Sequence, residues 1–319
     1  MHMADALVSA TVAGTMYALS AGAAAYSVKI IRLENDDKKI PVMGVMGAFI
    51  FAAQMINFTI PGTGSSGHLC GGMLLTALLG PYAAFLTLIS VLLIQCLFFA
   101  DGGLLAFGCN VWNMAFYGCF LGYFLVWKPI IKKGINKAGI ITASILGSVI
   151  SLQFGAFSVS VETKISGITE LPFMTFVKTM QPIHLAIGLV EGLITAAVLV
   201  FIYESRPEMI GTNKNENFVT HETNTALPQT DFTKKLSLKK ILTILFTVTL
   251  VTGGIISLFA SSHPDGLEWS IAKLTGSTDI SGNSDKVHSV FSSIQSMLSF
   301  LPDYAFKNSD TVGGTSFSG

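Results

Sequence analysis

The chain is predicted to be all-α, a polytopic bundle of membrane helices, and three observations predict it. Hydrophobic residues make up 51% and charged residues only 12% of its 319 positions, about half the charged share of a soluble protein. Apolar stretches of about 20 residues, enough to cross about 30 Å of hydrocarbon, recur along it. The Lys and Arg residues gather in alternate gaps between those stretches, as the positive-inside rule requires.

Taken in order, the apolar runs predict helices over 6–28, 41–60, 82–100, 104–127, 139–160, 183–203 and 240–260, with a shorter piece at 69–80. That makes about seven membrane segments, one of them short, plus one C-terminal membrane helix and an outer tail. No basic residue precedes the first run, whereas Lys29 and Arg32 follow it. The pattern predicts a retained anchor with its N-terminus outside, not a removed signal peptide.

In the second helix Gly44, Ala48 and Ala52 recur every four residues. Such a small-residue stripe lets backbones approach in lipid. Packing within the bundle and docking to another membrane subunit are both open at this point.

Between His68 and the Gly80–Pro81 turn there is room only for a tilted or partly buried segment, which is tolerated where protein surrounds it. Four basic residues lie in 29–39, four in 128–137 and six in 206–240, fourteen of the nineteen in the chain. All fall on one side if 69–80 counts as a crossing. That side is then cytoplasmic, and the N-terminus, His68 and residues 261–319 lie outside.

The four cysteines, Cys70, Cys96, Cys109 and Cys119, have no C-x-x-C spacing and are expected to be small packing residues. Asp101, in FFADGGLLAFGCN, reads as an outer-loop turn residue. His184 and Glu191, seven apart, share a face of the 183–203 helix. Ionisable groups at membrane depth turn inward, so the pair is expected to bridge helices, gate a path or support a metal site. Residues 206–238 are polar and read as a cytoplasmic linker expected to be poorly ordered. His221–Glu222 within it lacks the second histidine of a zinc-hydrolase motif. With zero net charge and no basic–aromatic cluster, nucleic acid is excluded as a partner. No nucleophile–base pair is evident.

The richest chemistry is at the start. His2 is too large for the usual removal of Met1, so the chain is expected to begin with a free Met1–His2. Its amine, the His2 amide nitrogen and the His2 imidazole can close two fused chelate rings on one ion. The plane then lacks one nitrogen, which His68 could supply beside its glycine-rich loop, Pro61-Gly62-Thr63-Gly64-Ser65-Ser66-Gly67. That loop lacks the Lys-Ser/Thr ending of a phosphate loop. Four coplanar nitrogens suit Ni(II) or Cu(II) over zinc, calcium or magnesium. Asp5 is a candidate to neutralise the bound cation.

The opening MHMADAL, the run FAAQMINFTIPGTGSSGHLCGGMLLTALLGPYAAFL, FFADGGLLAFGCNVWNM and HLAIGLVEGLITAAVL together resemble the CbiM/NikM family over about residues 1–205. These are substrate-capturing S components of energy-coupling-factor nickel and cobalt transporters. SSHPDGLEW at 261–269 resembles the PDGLE segment of their small auxiliary subunit, NikN/CbiN. The resemblance implies three parts: a metal-capturing domain over 1–205, a linker over 206–238, and a PDGLE-type domain over 239–319 with one membrane helix where two are usual. It implies a planar four-nitrogen site from Met1, His2 and His68, and contact of Ala48 and Ala52 with a transmembrane coupling (T) subunit.

Because the chain has no Walker or ABC-signature motif, the resemblance implies a non-enzymatic transport subunit. Two ABC-type ATPase partners would supply the energy. No cofactor is expected to be permanently bound; the ion is transported Ni(II), with Co(II) as the alternative. The setting implied is the inner membrane of a prokaryote, in contact with lipid. A rival reading is a solitary proton-coupled carrier with His184 and Glu191 as relay.

Overall fold

A computed structural model describes residues 1–34, 39–210, 237–254, 259–278 and 285–304. The centre of the predicted linker, with His221 and Glu222, lies outside the described residues. Among the described residues the fold is helical apart from one small hairpin.

Helix α1 spans Ala10–Glu34, later than the predicted 6–28 at both ends. Residues 1–9 are drawn out of it by long-range pairing. The backbone N–H of Met3 donates to Asn110 Oδ1 at 2.6 Å, and its carbonyl accepts from Asn110 Nδ2 at 3.1 Å and from the Gly103 N–H at 2.8 Å. Helix α2 (Lys39–Gln54) also stops short of its predicted end. Its expected last turn is instead strand β1 (Phe58–Ile60), paired antiparallel with β2 (Ser65–Gly67), Phe58 opposite Gly67. The turn between them carries Gly62 and Gly64 at φ of 77° and 74°, a conformation that favours glycine.

The short segment is α3 (Gly72–Leu79), and all eight of its residues are buried. At 1.5 Å per residue it is about 12 Å long, too short to cross alone. It lies backbone against backbone on the next helix but one: a Cβ at Gly72 would come within 2.9 Å of the Gly118 Cα.

Among the described residues four helices are long and apolar enough to cross a membrane: α4 (Pro81–Phe99), α5 (Phe107–Ile131), α6 (Lys137–Ser166) and α7 (Phe173–Ser205). The stretch Val111–Trp127 of α5 is wound as a π-helix. Helix α6 is bounded by chemistry the sequence supplies: Asn136 caps its start by accepting from Gly139 N–H at 2.8 Å, and Gly167 ends it at φ 63°. Helix α7 begins ten residues before the predicted 183, with Pro182 inside it. A proline in a helix interior loses a backbone bond, which is why the sequence reading starts the helix after it.

Beyond the linker, α8 (Leu238–Gly254) packs on α2. Helix α9 (Gly266–Thr275) opens with a capping box between Asp265 and Glu268. Helix α10 (Lys286–Leu298) follows. The four cysteines are free and buried, packing residues as their spacing predicts.

The small-residue stripe of α2 divides. Gly44 and Ala48 are exposed and line, with Met43, Phe51, Ser90 and Ile94, a groove of about 600 Å³ against α4. Ala52 is buried, and a Cβ at Gly253 of α8 would lie 3.5 Å from its own.

Candidate metal-capture site

The N-terminus folds back into the bundle. Met1 is 4% exposed and Met3 not at all, and Leu7 and Val8 are buried with them. Two glycines make this possible. A Cβ at Gly103 would lie 1.9 Å from Asp5 Oδ1, and one at Gly102 would lie 3.0 Å from the His2 Cβ. The loop from Asp101 to Ala106 can therefore pass over the terminus only as Asp-Gly-Gly. Asp5 fastens it, accepting the Ala106 N–H at 2.9 Å; burial raises its pKa. Asp5 thus holds the loop.

The Met1 amine lies 3.0 Å from His68 Nε2. With metal–nitrogen bonds of about 2.0 Å, adjacent corners of a square plane are about 2.8 Å apart. Amine and imidazole thus already stand near the spacing of one edge. The tautomer of His68 is assigned by its other nitrogen. Nδ1 sits 3.0 Å from the Leu69 carbonyl, which only accepts, so Nδ1 carries the hydrogen and Nε2 presents its lone pair to the amine. Burial, the adjacent terminal ammonium and His2 push the His68 pKa down to about 3, keeping the ring neutral.

His2 is turned differently from the chelate. Its ring stacks on His68, centroids 5.2 Å apart and planes 20° from parallel, but its Nδ1 is 3.0 Å from Asp101 Oδ1. Its Nε2 is buried without a hydrogen-bond partner. The amine and His68 Nε2 stand side by side, and the His2 ring is held to one side of them by Asp101. Asp101 is therefore more than the turn residue its sequence setting suggests. Its pKa falls well below the usual carboxylate range, because His2, the bond from His2 and His68 outweigh burial.

The second acid is Asp265, which sequence reasoning did not single out. Its Oδ2 is 2.5 Å from the Met1 amine, an ion pair between a buried ammonium and a part-buried carboxylate. Burial disfavours the ammonium, but Asp265 outweighs it and leaves the amine pKa above its ordinary 8.0. Asp265 is in turn depressed by the ammonium and His68 against its own burial. The surrounding PDGLE residues explain the contact. The Pro264 carbonyl accepts the Ser66 N–H at 2.8 Å, and the His263 carbonyl accepts Ser66 Oγ at 2.7 Å. A Cβ at Gly266 would press within 3.0 Å of His184 Cε1. Leu267 is 2% exposed, and Glu268 closes the capping box. The motif could have flagged Asp265, but only its folded position reveals the amine opposite.

Glu191 and His184 lie just beneath. The Glu191 oxygens accept the N–H groups of Cys70 and Gly71 at 2.8 and 3.0 Å, fixing the loop that presents His68. His184 Nδ1 is 2.8 Å from the Met180 carbonyl, and its Nε2 has no hydrogen-bond partner. Met1, His68, His184 and Asp265 line a cavity of about 10 Å³, the size of one water. Among the described residues no group of three His, Cys, Asp or Glu side chains forms a metal cluster.

A helical bundle with four membrane-length helices among its described residues defines the class, a polytopic membrane protein. The family model described as "Cobalt uptake substrate-specific transmembrane region" matches residues 2–209 and the PDGLE domain model matches 239–319: the chain belongs to the CbiM family and carries a PDGLE domain. A NikMN-type fusion protein of Archaeoglobus fulgidus is 39% identical over 210 residues, covering 66% of this chain and 68% of its own. The cobalt transport protein CbiM of Sorangium cellulosum is 30% identical, covering 66% and 94%. The probable fused nickel transport protein LarMN of Lactiplantibacillus plantarum is 32% identical, covering 63% and 59%. A crystal structure of a truncated transition metal transporter superposes with a TM-score of 0.57 at 28% identity, over 64% of this chain and 99% of that one.

Proposed function

We propose that the chain is the substrate-specific component of an ATP-driven energy-coupling-factor importer and captures Ni(II) on the outer face. The four nitrogens are the Met1 amine, the His2 amide and imidazole, and His68 Nε2. The observation that carries the reading is the 3.0 Å approach of the buried amine to a neutral His68 Nε2. The names of the fused nickel relatives support nickel over cobalt.

Charge accounts for the two acids. The metal-free site holds an ammonium. Binding Ni(II) displaces one proton from the amine and one from the His2 amide, and the two protons that leave offset the ion's two charges. Asp101 and Asp265 suit both states. To enter the plane His2 Nδ1 must leave Asp101 and give up the hydrogen it shares with it; with the proton moved to Nε2 and the ring turned, Nε2–H can reach that carboxylate, a metal–histidine–carboxylate arrangement that orients the ligand. Release inward is driven by two ATPase subunits through the T subunit, which docks on the exposed Gly44–Ala48 part of the α2 stripe. A solitary carrier relaying protons through Glu191 is disfavoured, since both its oxygens are committed to backbone N–H groups.

Blocking the N-terminus by acetylation tests the assignment. Equilibrium nickel binding to the purified blocked protein should be lost; undiminished binding would overturn the site. Competition between Ni(II) and Co(II) on unmodified protein decides the ion, and preference for cobalt would reverse the choice.

A further inference from the structure

Helix α10 lies outside the metal site and has three distinct faces. His288, Phe291 and Gln295 point to the bundle. His288 Nε2 is 3.0 Å from the Val8 carbonyl, and Gln295 Nε2 donates to the Gly102 carbonyl at 2.7 Å and to the Cys96 carbonyl at 3.0 Å. Ser289, Ser292, Ser293 and Ser296 are exposed on a polar face, roughly a third of a turn away. Between the two runs a stripe of Val287, Val290, Ile294, Met297 and Leu298, exposed at 39, 54, 43, 82 and 44%.

This stripe continues the exposed apolar surface of a membrane-length helix. On leaving α10 the chain lays Phe300 on Phe98 and Phe99, centroids 5.3 and 6.4 Å apart, and the Leu301 N–H donates to the Phe98 carbonyl at 3.2 Å. Phe98 is at the end of the membrane helix α4 and is 41% exposed, in line with Leu93 and Ile94. A helix docked sideways on a bundle, with apolar residues on one flank and serines on the other, matches one lying in the plane of a membrane interface, where such faces sink about 5–10 Å. Lys286 is the only charged residue on its exposed faces, His288 being turned to the bundle, so burial of apolar surface rather than anionic lipid drives the insertion.

We propose that α10 is an interfacial helix whose Val290–Ile294 stripe inserts into the bilayer leaflet around the metal-capture end of the bundle. The lipid surface thereby steadies the roof of the site. The same segment holds Gly102 through Gln295, and the Tyr304 hydroxyl donates to Asp101 Oδ2 at 2.8 Å.

The test uses the full-length protein in phosphatidylcholine nanodiscs, with bimane on single introduced cysteines: Val290→Cys and Ile294→Cys against Ser289→Cys and Ser293→Cys. The native cysteines are buried, and the labelling-treated wild type is the blank. Quenching by lipid-borne doxyl groups should be several-fold stronger at 290 and 294 than at 289 and 293, with the reverse for aqueous iodide. Equal iodide access at all four positions would overturn the proposal. So would protection of 290 and 294 from both quenchers, which would mean that protein covers the stripe.

Discussion

The amine of Met1 and the carboxylate of Asp265, 264 residues apart in sequence, meet at 2.5 Å in the interior. The contact joins the two modules of the chain at the atom proposed as its first metal ligand. Each letter of Pro264-Asp265-Gly266-Leu267-Glu268 serves that contact: a carbonyl for Ser66, the ion pair, the close approach to His184, a buried anchor and the helix cap.

Nickel capture should weaken as pH falls, because the amine must lose a proton that Asp265 holds on it above the ordinary pKa. Each displaced proton steepens the loss by about tenfold per pH unit below that pKa. Asp265→Asn removes the partner that raises the amine, so the pH midpoint of nickel binding should move to lower pH. Stripping the buried ammonium of its partner costs about 3–5 kcal/mol, and amide exchange over residues 3–8 should accelerate in the metal-free protein. Binding isotherms across pH check the first effect, hydrogen exchange the second.

Gly103→Ala should expel Asp5, which lies 1.9 Å from the new Cβ. Overpacking of this kind costs about 1–3 kcal/mol, and the N-terminus must move away to relieve it. Nickel binding should collapse while the helical circular dichroism is kept.

Glu191→Ala leaves the N–H groups of Cys70 and Gly71 buried without acceptors. At about 1–3 kcal/mol each, thermal stability should fall and nickel binding with it as His68 loses its support. Glu191→Gln, keeping one carbonyl acceptor, should be intermediate. Denaturation and binding assays on the two variants rank them.

Docking of α10 should be tighter at pH 6 than at pH 8. His288 faces acceptors on both sides, the Asp285 carboxylate at 2.8 Å and the carbonyls of Val8 and Asp5 at 3.0 and 3.2 Å. A neutral ring can donate to only one side. Burial works against the charged form, but the Asp285 bond and the carbonyls outweigh it and raise the pKa from 6.5. A raised folded pKa contributes stability that is complete below the unfolded value and lost as pH rises through the folded one. Hydrogen exchange over 286–298 should show the change, and His288→Gln should flatten it.

The sequence by itself determined what depends on local chemistry. Hydropathy and basic clusters predict the helical bundle, since burial in lipid is a property of each stretch. The proposed Met1–His2 chelate is legible because its rings close within two residues, and His68 because its flanking glycines mark a loop. Tertiary structure alone decided what depends on meeting across the fold. It pulled residues 1–9 out of the first helix, made a hairpin of the end of the second, split the small-residue stripe between an open groove and α8, turned His2 onto Asp101, and set Asp265 on the amine. A carboxylate's partner is chosen by the packing that brings opposite charges together in a dry interior. Neither composition nor spacing encodes that meeting.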